Sequence, residues 1–112
     1  LRLEQVLINL FRNAMDATRD VDDPRMTLIL SAGETATFTV RDNGHGIADL
    51  DTLFEPFYTT KAPGDGVGLG LAISSGIVSG LGGSLTARNG SDGGAVFEVK
   101  LPVIREDLQA AE

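Results

Sequence analysis

Asp65-Gly66-Val67-Gly68-Leu69-Gly70-Leu71 places three glycines at alternate positions and runs straight into an apolar helical pattern that extends from Leu71 to Leu81. Glycines this close let the backbone bend tightly and approach a ligand without Cβ interference. A helix that starts there aims free N–H groups and the positive end of its dipole at the same spot. Together these features describe an anion site, most often one for phosphate. A Gly-rich turn before a helix can also be only a turn, so the rest of the chain has to decide. Gly82-Gly83 stops the helix.

Outward from this stretch, the elements alternate in type. Leu3, Val6, Leu7, Leu10, Phe11, Ala14 and Ala17 recur at helical spacing and predict one buried stripe. Asp20 to Pro24 ends that helix. Met26 to Ala32 and Thr37 to Val40 are β-rich runs around Gly33-Glu34, a hairpin signal. Asp42 to Gly46 reads as a turn, Leu50 to Phe57 as a single helical turn broken by Pro56, and Thr59 to Gly66 as a flexible loop. After the glycine-started helix, Ser84 to Arg88 and Ala95 to Leu101 predict a second hairpin around Asn89 to Gly94, closed by Pro102. The connections are too short for parallel crossovers. The pattern therefore predicts an α+β class, an α/β sandwich with a mixed, mostly antiparallel sheet and helices on one face. Residues 1–102 form the expected domain and 103–112 an acidic tail.

With 112 residues, 42% apolar and 22% charged, the composition is that of one globular domain. There is no Cys and one His, which excludes disulfides, thiolate metal sites and a multi-histidine zinc site. No apolar run approaches the roughly 20 residues that span a membrane, and no signal peptide is visible. The first residues already lie in a helical pattern, so the expectation is a cytoplasmic piece of a longer chain. A net charge of −7 argues against non-specific nucleic-acid binding. It leaves room for local phosphate binding by backbone N–H groups and a bound cation.

Several polar groups stand out. Asn9, Asn13 and Asp16 are spaced i, i+4, i+7 and share one helix stripe about a quarter-turn from the apolar one. Such a row is either a solvated flank, a helix–helix hydrogen bond, or a source of amide oxygens for a hard cation such as magnesium. Asp42 ends a strand and enters a Gly-x-Gly turn. Its carboxylate either satisfies turn N–H groups or accepts from a ligand amine, with Gly44 and Gly46 letting a flat ring lie against the backbone. His45, between two glycines and without a nearby base, reads as an exposed turn residue. Phe54, Phe57 and Tyr58 flank Pro56 and either seal the core edge or anchor a mobile lid. Lys61 is the sole Lys or Arg between Arg41 and Arg88 and is the natural mobile cation for a phosphate tail.

In order and spacing these segments resemble the catalytic, ATP-binding domain of bacterial sensor histidine kinases, within the superfamily that includes gyrase and MutL-type ATPases. The resemblance runs from about Arg2 to Pro102. Asn9-Leu10-Phe11-Arg12-Asn13-Ala14 looks like the asparagine box, and Asp42-Asn43-Gly44-His45-Gly46-Ile47 like the first glycine box. Phe54-Glu55-Pro56-Phe57-Tyr58-Thr59-Thr60-Lys61 looks like the phenylalanine box, and Gly66-Val67-Gly68-Leu69-Gly70-Leu71 like the second glycine box. The Phe-Tyr-Thr-Thr-Lys run is similar to sensors of the nitrogen and dicarboxylate-transport type.

The resemblance implies ATP and Mg²⁺ as cofactors, with Asn13 the main magnesium ligand and Asn9 in support. It implies that Asp42 accepts from the exocyclic amine of adenine, that Gly44, Gly46, Ile47 and Phe54 line the nucleotide, and that Gly66, Gly68, Leu69, Gly70 and Leu71 lie at the lid base near the phosphates. Lys61 would reach the phosphate tail as the lid between the last two boxes closes, which makes it, with Asn13, a catalytic candidate. The γ-phosphate would pass to a histidine on a separate dimerisation domain of the same kinase, and from there to a response regulator. The parent could be anchored in the inner membrane.

Departures refine this picture. Gyrase-like ATPases carry a water-activating Glu where this chain has Asn9, which cannot act as a base near neutral pH, so transfer to a protein is favoured over ATP hydrolysis. Asp16 stands where many kinases have a basic or aromatic residue. Ala95 stands where a Thr near the adenine is common. Two rival readings are a non-catalytic nucleotide-sensing or docking module and, less favoured, a gyrase-like ATPase.

Overall fold

The structure, a computed structural model, describes residues 2–55 and 70–103. The element order is α1 (Arg2–Ala17), β1 (Met26–Ala32), β2 (Thr35–Asp42), α2 (Gly70–Gly80), β3 (Ser84–Asn89) and β4 (Ala95–Pro102). The strands lie in the order β1-β2-β4-β3, and every pairing among the described residues is antiparallel. Both helices pack on one face of this sheet and against each other.

α1 forms where the apolar spacing predicts it. Val6, Leu10 and Ala14 are buried, and Leu3 and Phe11 pack partly buried beside them. Thr18 closes the helix by donating its hydroxyl to the Ala14 carbonyl at 2.9 Å. α2 ends in a Schellman motif: the Gly83 N–H reaches the Val78 carbonyl at 3.0 Å and the Gly82 N–H the Ser79 carbonyl at 3.0 Å, with Gly82 at φ 82°. That cap turns the chain directly into β3.

Every second residue of the central strands faces the helices, although burial itself does not alternate, since Val96 is buried between Ala95 and Phe97 and β1 is exposed throughout. Val40 and Phe38 of β2, Ala95, Phe97 and Val99 of β4, and Leu85 of β3 face the helices. Fully buried side chains of the size of Leu10, Val6, Val40, Val78 and Val99 each stabilise by about 1.5–3 kcal/mol relative to exposure.

Three features go beyond the sequence reading and have physical causes. β2 runs from Thr35 to Asp42, longer at both ends than its apolar run, because it is paired on both sides, to β1 through Asp42 and to β4 through Thr35. Leu50 to Glu55 forms hydrogen-bonded turns rather than a regular helix, with the Asp49 carboxylate accepting from the Asp51 N–H at 3.1 Å and the Glu55 N–H bonding to Thr52 O at 3.0 Å. Pro56 and Phe57 lie outside the described residues. All seven residues of β1 are exposed despite their apolar character, with Leu30 at 63%, because β1 is an edge strand that the helical layer barely reaches.

Candidate nucleotide site

Asp42 and the glycine turn that follows it lie at the end of the sheet where β2 stops. Asp42 is the last residue of β2, opposite Met26 of β1. Its Oδ1 accepts from the Gly44 N–H at 2.9 Å and from the Ala95 N–H of β4 at 3.2 Å. The first bond is the local Asx turn that an Asp-x-Gly sequence favours. The second ties the turn to the neighbouring strand. One carboxylate oxygen is thus fixed by two backbone donors, and the other makes no hydrogen bond to a described residue.

The turn is also held from behind. A Cβ on Gly44 would lie 2.3 Å from the Ala17 carbonyl oxygen, so only glycine lets this backbone rest on the C-terminus of α1. Asn43 accepts from the Arg25 N–H and donates to the Asp23 carbonyl, both at 2.8 Å, which fastens the turn to the segment entering β1. Gly46 adopts φ 80°, and Ile47 follows it, partly buried against the core together with Phe54 and Leu71. His45 is exposed, with Nδ1 2.8 Å from the Gly46 carbonyl, as a turn residue.

The polar stripe of α1 faces the start of α2. The Asn9 Nδ2 donates to the Ser74 Oγ at 3.0 Å and to the Gly70 carbonyl at 3.4 Å. A carbonyl can only accept, so this contact orients the amide with its nitrogen toward α2 and its oxygen elsewhere. Asn13, half-buried one turn further on, makes no hydrogen bond to a described residue. Asp16 pairs with Arg19 at 2.9 Å on the exposed flank. No group of three or more His, Cys, Asp or Glu side chains suited to a metal occurs among the described residues. A hard cation here would depend on amide oxygens and on a ligand's own phosphates, which suits magnesium.

The structure therefore brings Asp42, Gly44, Gly46 and Ile47 into one turn, and places Asn9 against Gly70 where the two helices meet, with Asn13 one turn further along α1. Lys61, Gly66, Gly68 and Leu69 lie outside the described residues. The sequence reading missed three participants. Ser74, fully buried, is the partner of Asn9. Asn43 and Asn89 read from the sequence only as turn residues, yet the Asn89 amide bonds both backbone groups of Ile47. An Asn before a Gly at a strand end is so common a turn signal that nothing in the sequence set either one apart. An open hollow of about 290 Å³ lies between the Gly46–Ala48 backbone and the β3–β4 turn, lined by His45, Ile47, Asn89 and Gly94 among others; Asp42 and Asn13 do not line it.

Known proteins with this architecture are closely similar. Residues 1–105 match the family model described as histidine kinase-, DNA gyrase B-, and HSP90-like ATPase. The chain is 46% identical to the two-component sensor PprA of Pseudomonas aeruginosa over 110 residues, which are 91% of this chain and 12% of that protein. It is 49% identical over 105 residues to the C4-dicarboxylate transport sensor protein DctB of Rhizobium meliloti, covering 90% of this chain and 16% of that protein. Among solved structures, the catalytic domain of histidine kinase ThkA superposes with a TM-score of 0.76 at 31% identity, covering 90% of this chain and 67% of that one. Full-length ShkA in complex with AMPPNP gives 0.71 at 34% identity, covering 90% and 21%. The chain spans less than a quarter of the length of the curated relatives it matches. With its four boxes in order and its helices layered on an antiparallel sheet, the chain belongs to the histidine kinase-, DNA gyrase B- and HSP90-like ATPase family.

Proposed function

We propose that this chain is the ATP-binding catalytic domain of a sensor histidine kinase, which presents the γ-phosphate of ATP to a histidine on a dimerisation domain of the same kinase, for onward transfer to a response regulator. The observation that carries the reading is Asp42. One of its oxygens is immobilised by two backbone N–H groups, which leaves the other to accept from an exocyclic amine beside the glycine turn. Recognising an amine this way discriminates strongly, because a base that lacks the donor leaves the carboxylate oxygen unpaired. The similarity to two-component and transport sensor proteins, and to ShkA solved in complex with AMPPNP, supports the same reading.

Magnesium, when bound, would neutralise charge on the phosphates. Asn13 would hold it through its amide oxygen, with the outward-turned oxygen of Asn9 nearby. Ser74 and Gly70 fix the Asn9 amide, and so hold that end of the site in place against α2. Phosphoryl transfer leaves little covalent chemistry to the protein, so positioning and electrostatics do most of the work. Gly70 opens an 11-residue helix whose free N–H groups suit a phosphate tail, and Lys61 would add a cation.

The absence of a carboxylate base at Asn9 favours transfer over hydrolysis. The test is to mix the chain with labelled ATP, Mg²⁺ and a cognate dimerisation domain. Acid-labile label on the acceptor histidine is expected. Tight nucleotide binding without any transfer to a folded acceptor would instead make the chain a sensing module, and rapid phosphate release without acceptor would make it an ATPase.

A further inference from the structure

We propose that Asn89 is a positioning residue for base recognition: its amide fixes the Gly46–Ile47 backbone in place relative to Asp42, at the far end of the same turn. Asn89 is the last residue of β3 and pairs with Ala95 across the β3–β4 turn. Its Oδ1 accepts from the Ile47 N–H at 2.7 Å, and its Nδ2 donates to the Ile47 carbonyl at 3.0 Å. A primary amide that pairs with both backbone groups of one residue does what a neighbouring strand would do, across 42 residues of sequence. The contact is close as well as polar, since a Cβ on Gly46 would come within 2.9 Å of the same Oδ1.

The β3–β4 hairpin thus grips the glycine turn at two points. Ala95 N–H holds Asp42 at one end, and the Asn89 amide holds Ile47 at the other. The spacing between the amine acceptor and the Gly46–Ile47 backbone is then set by one rigid hairpin rather than by the turn itself. Gly90 N–H to Gly94 O at 3.0 Å and Gly93 N–H to Gly90 O at 3.2 Å keep that hairpin end closed. Release of the Ile47 end would let a bound base slide relative to Asp42. Guanine could then offer its own donors to the carboxylate, while a phosphate tail held elsewhere would be unaffected.

This inference rests on the reading of Asp42 as the adenine acceptor, and the test separates the two. Binding of ADP, GDP and inorganic tripolyphosphate would be measured for the wild-type chain, Asn89→Ala and Asn89→Asp, with thermal melts of each. Asn89→Ala is expected to weaken ADP by about tenfold, the scale of one lost hydrogen bond, to narrow the preference for ADP over GDP, and to leave tripolyphosphate unchanged. Asn89→Asp keeps the acceptor for the Ile47 N–H but sets a second acceptor against the Ile47 carbonyl, so it should narrow the preference at least as far as Asn89→Ala. Equal weakening of all three ligands, or an unchanged ADP-to-GDP ratio in folded Asn89→Ala, would overturn the positioning role. Failure of the wild-type chain to prefer ADP over GDP would overturn the reading of Asp42 itself, and the role of Asn89 with it.

Discussion

The end of the site around Asp42 is wired into the sheet, whereas the end around Asn13 hangs on a single helix. Asp42 is held by N–H groups from its own turn and from β4, the turn rests on the α1 carbonyl of Ala17, and Asn43 and Asn89 pin its two flanks. At the other end Asn9 is committed to α2 through its nitrogen, and Asn13 has no hydrogen-bond partner among the described residues. The difference teaches where each part of recognition is stored. A group already bonded in the free protein needs little ordering when a ligand arrives, and so gives selectivity. A lone amide oxygen becomes a ligand site only when a cation and phosphates complete its shell.

The largest effect should come from Asp42→Ala. It removes the proposed amine acceptor and both anchors of the turn, and loss of a charged hydrogen bond of this kind is worth about 1.5–3 kcal/mol, so ADP affinity should fall by at least tenfold. Calorimetric titration checks this, and a loss under threefold would break the claim that selectivity is stored at the sheet end. Asn13→Ala should remove most of the increment that Mg²⁺ adds to ADP or ATP affinity, about tenfold or less, while metal-free ADP binding stays the same. An equal loss with and without Mg²⁺ would mean that Asn13 touches the nucleotide rather than the cation. The smallest effect should be that of Ser74→Ala, which strands one donor of Asn9 at the α1–α2 junction. It should lower stability by about 1 kcal/mol in denaturant titration, with Asn9→Ala close to it. A greater loss than Phe97→Ala, for which core truncation predicts about 3–5 kcal/mol, would contradict the placement of the main core under β4.

Much of this arrangement was legible in the sequence because it is local. The spacing of Val6, Leu10 and Ala14 names the buried face of α1, and Met26–Ala32 reads as a strand from its own composition. Asp42 is visible as a carboxylate entering a turn, and the turn reading is what its Oδ1 does, while acceptance from a ligand amine by the other oxygen is the proposal. The same is true of the α1 stripe, where the helix–helix hydrogen bond weighed for it is what the Asn9 nitrogen makes. What the sequence hid is set by tertiary placement. β1 has the composition of a buried strand and is exposed, because burial depends on how far the helical layer extends and not on the strand. Asn89 hid behind its own turn propensity, as its partner Ile47 becomes adjacent only once β4 has paired with both β2 and β3.

The most direct test of the account is calorimetric titration of ADP, with and without Mg²⁺, into the wild-type chain and Asp42→Asn. The substitution keeps an oxygen for the Gly44 and Ala95 N–H groups and replaces the free carboxylate oxygen with a donor that would oppose a base amine. The account predicts micromolar-scale binding by wild type and a loss of about tenfold or more in a variant with an unchanged melting temperature. Equal affinities in the two folded proteins would contradict it.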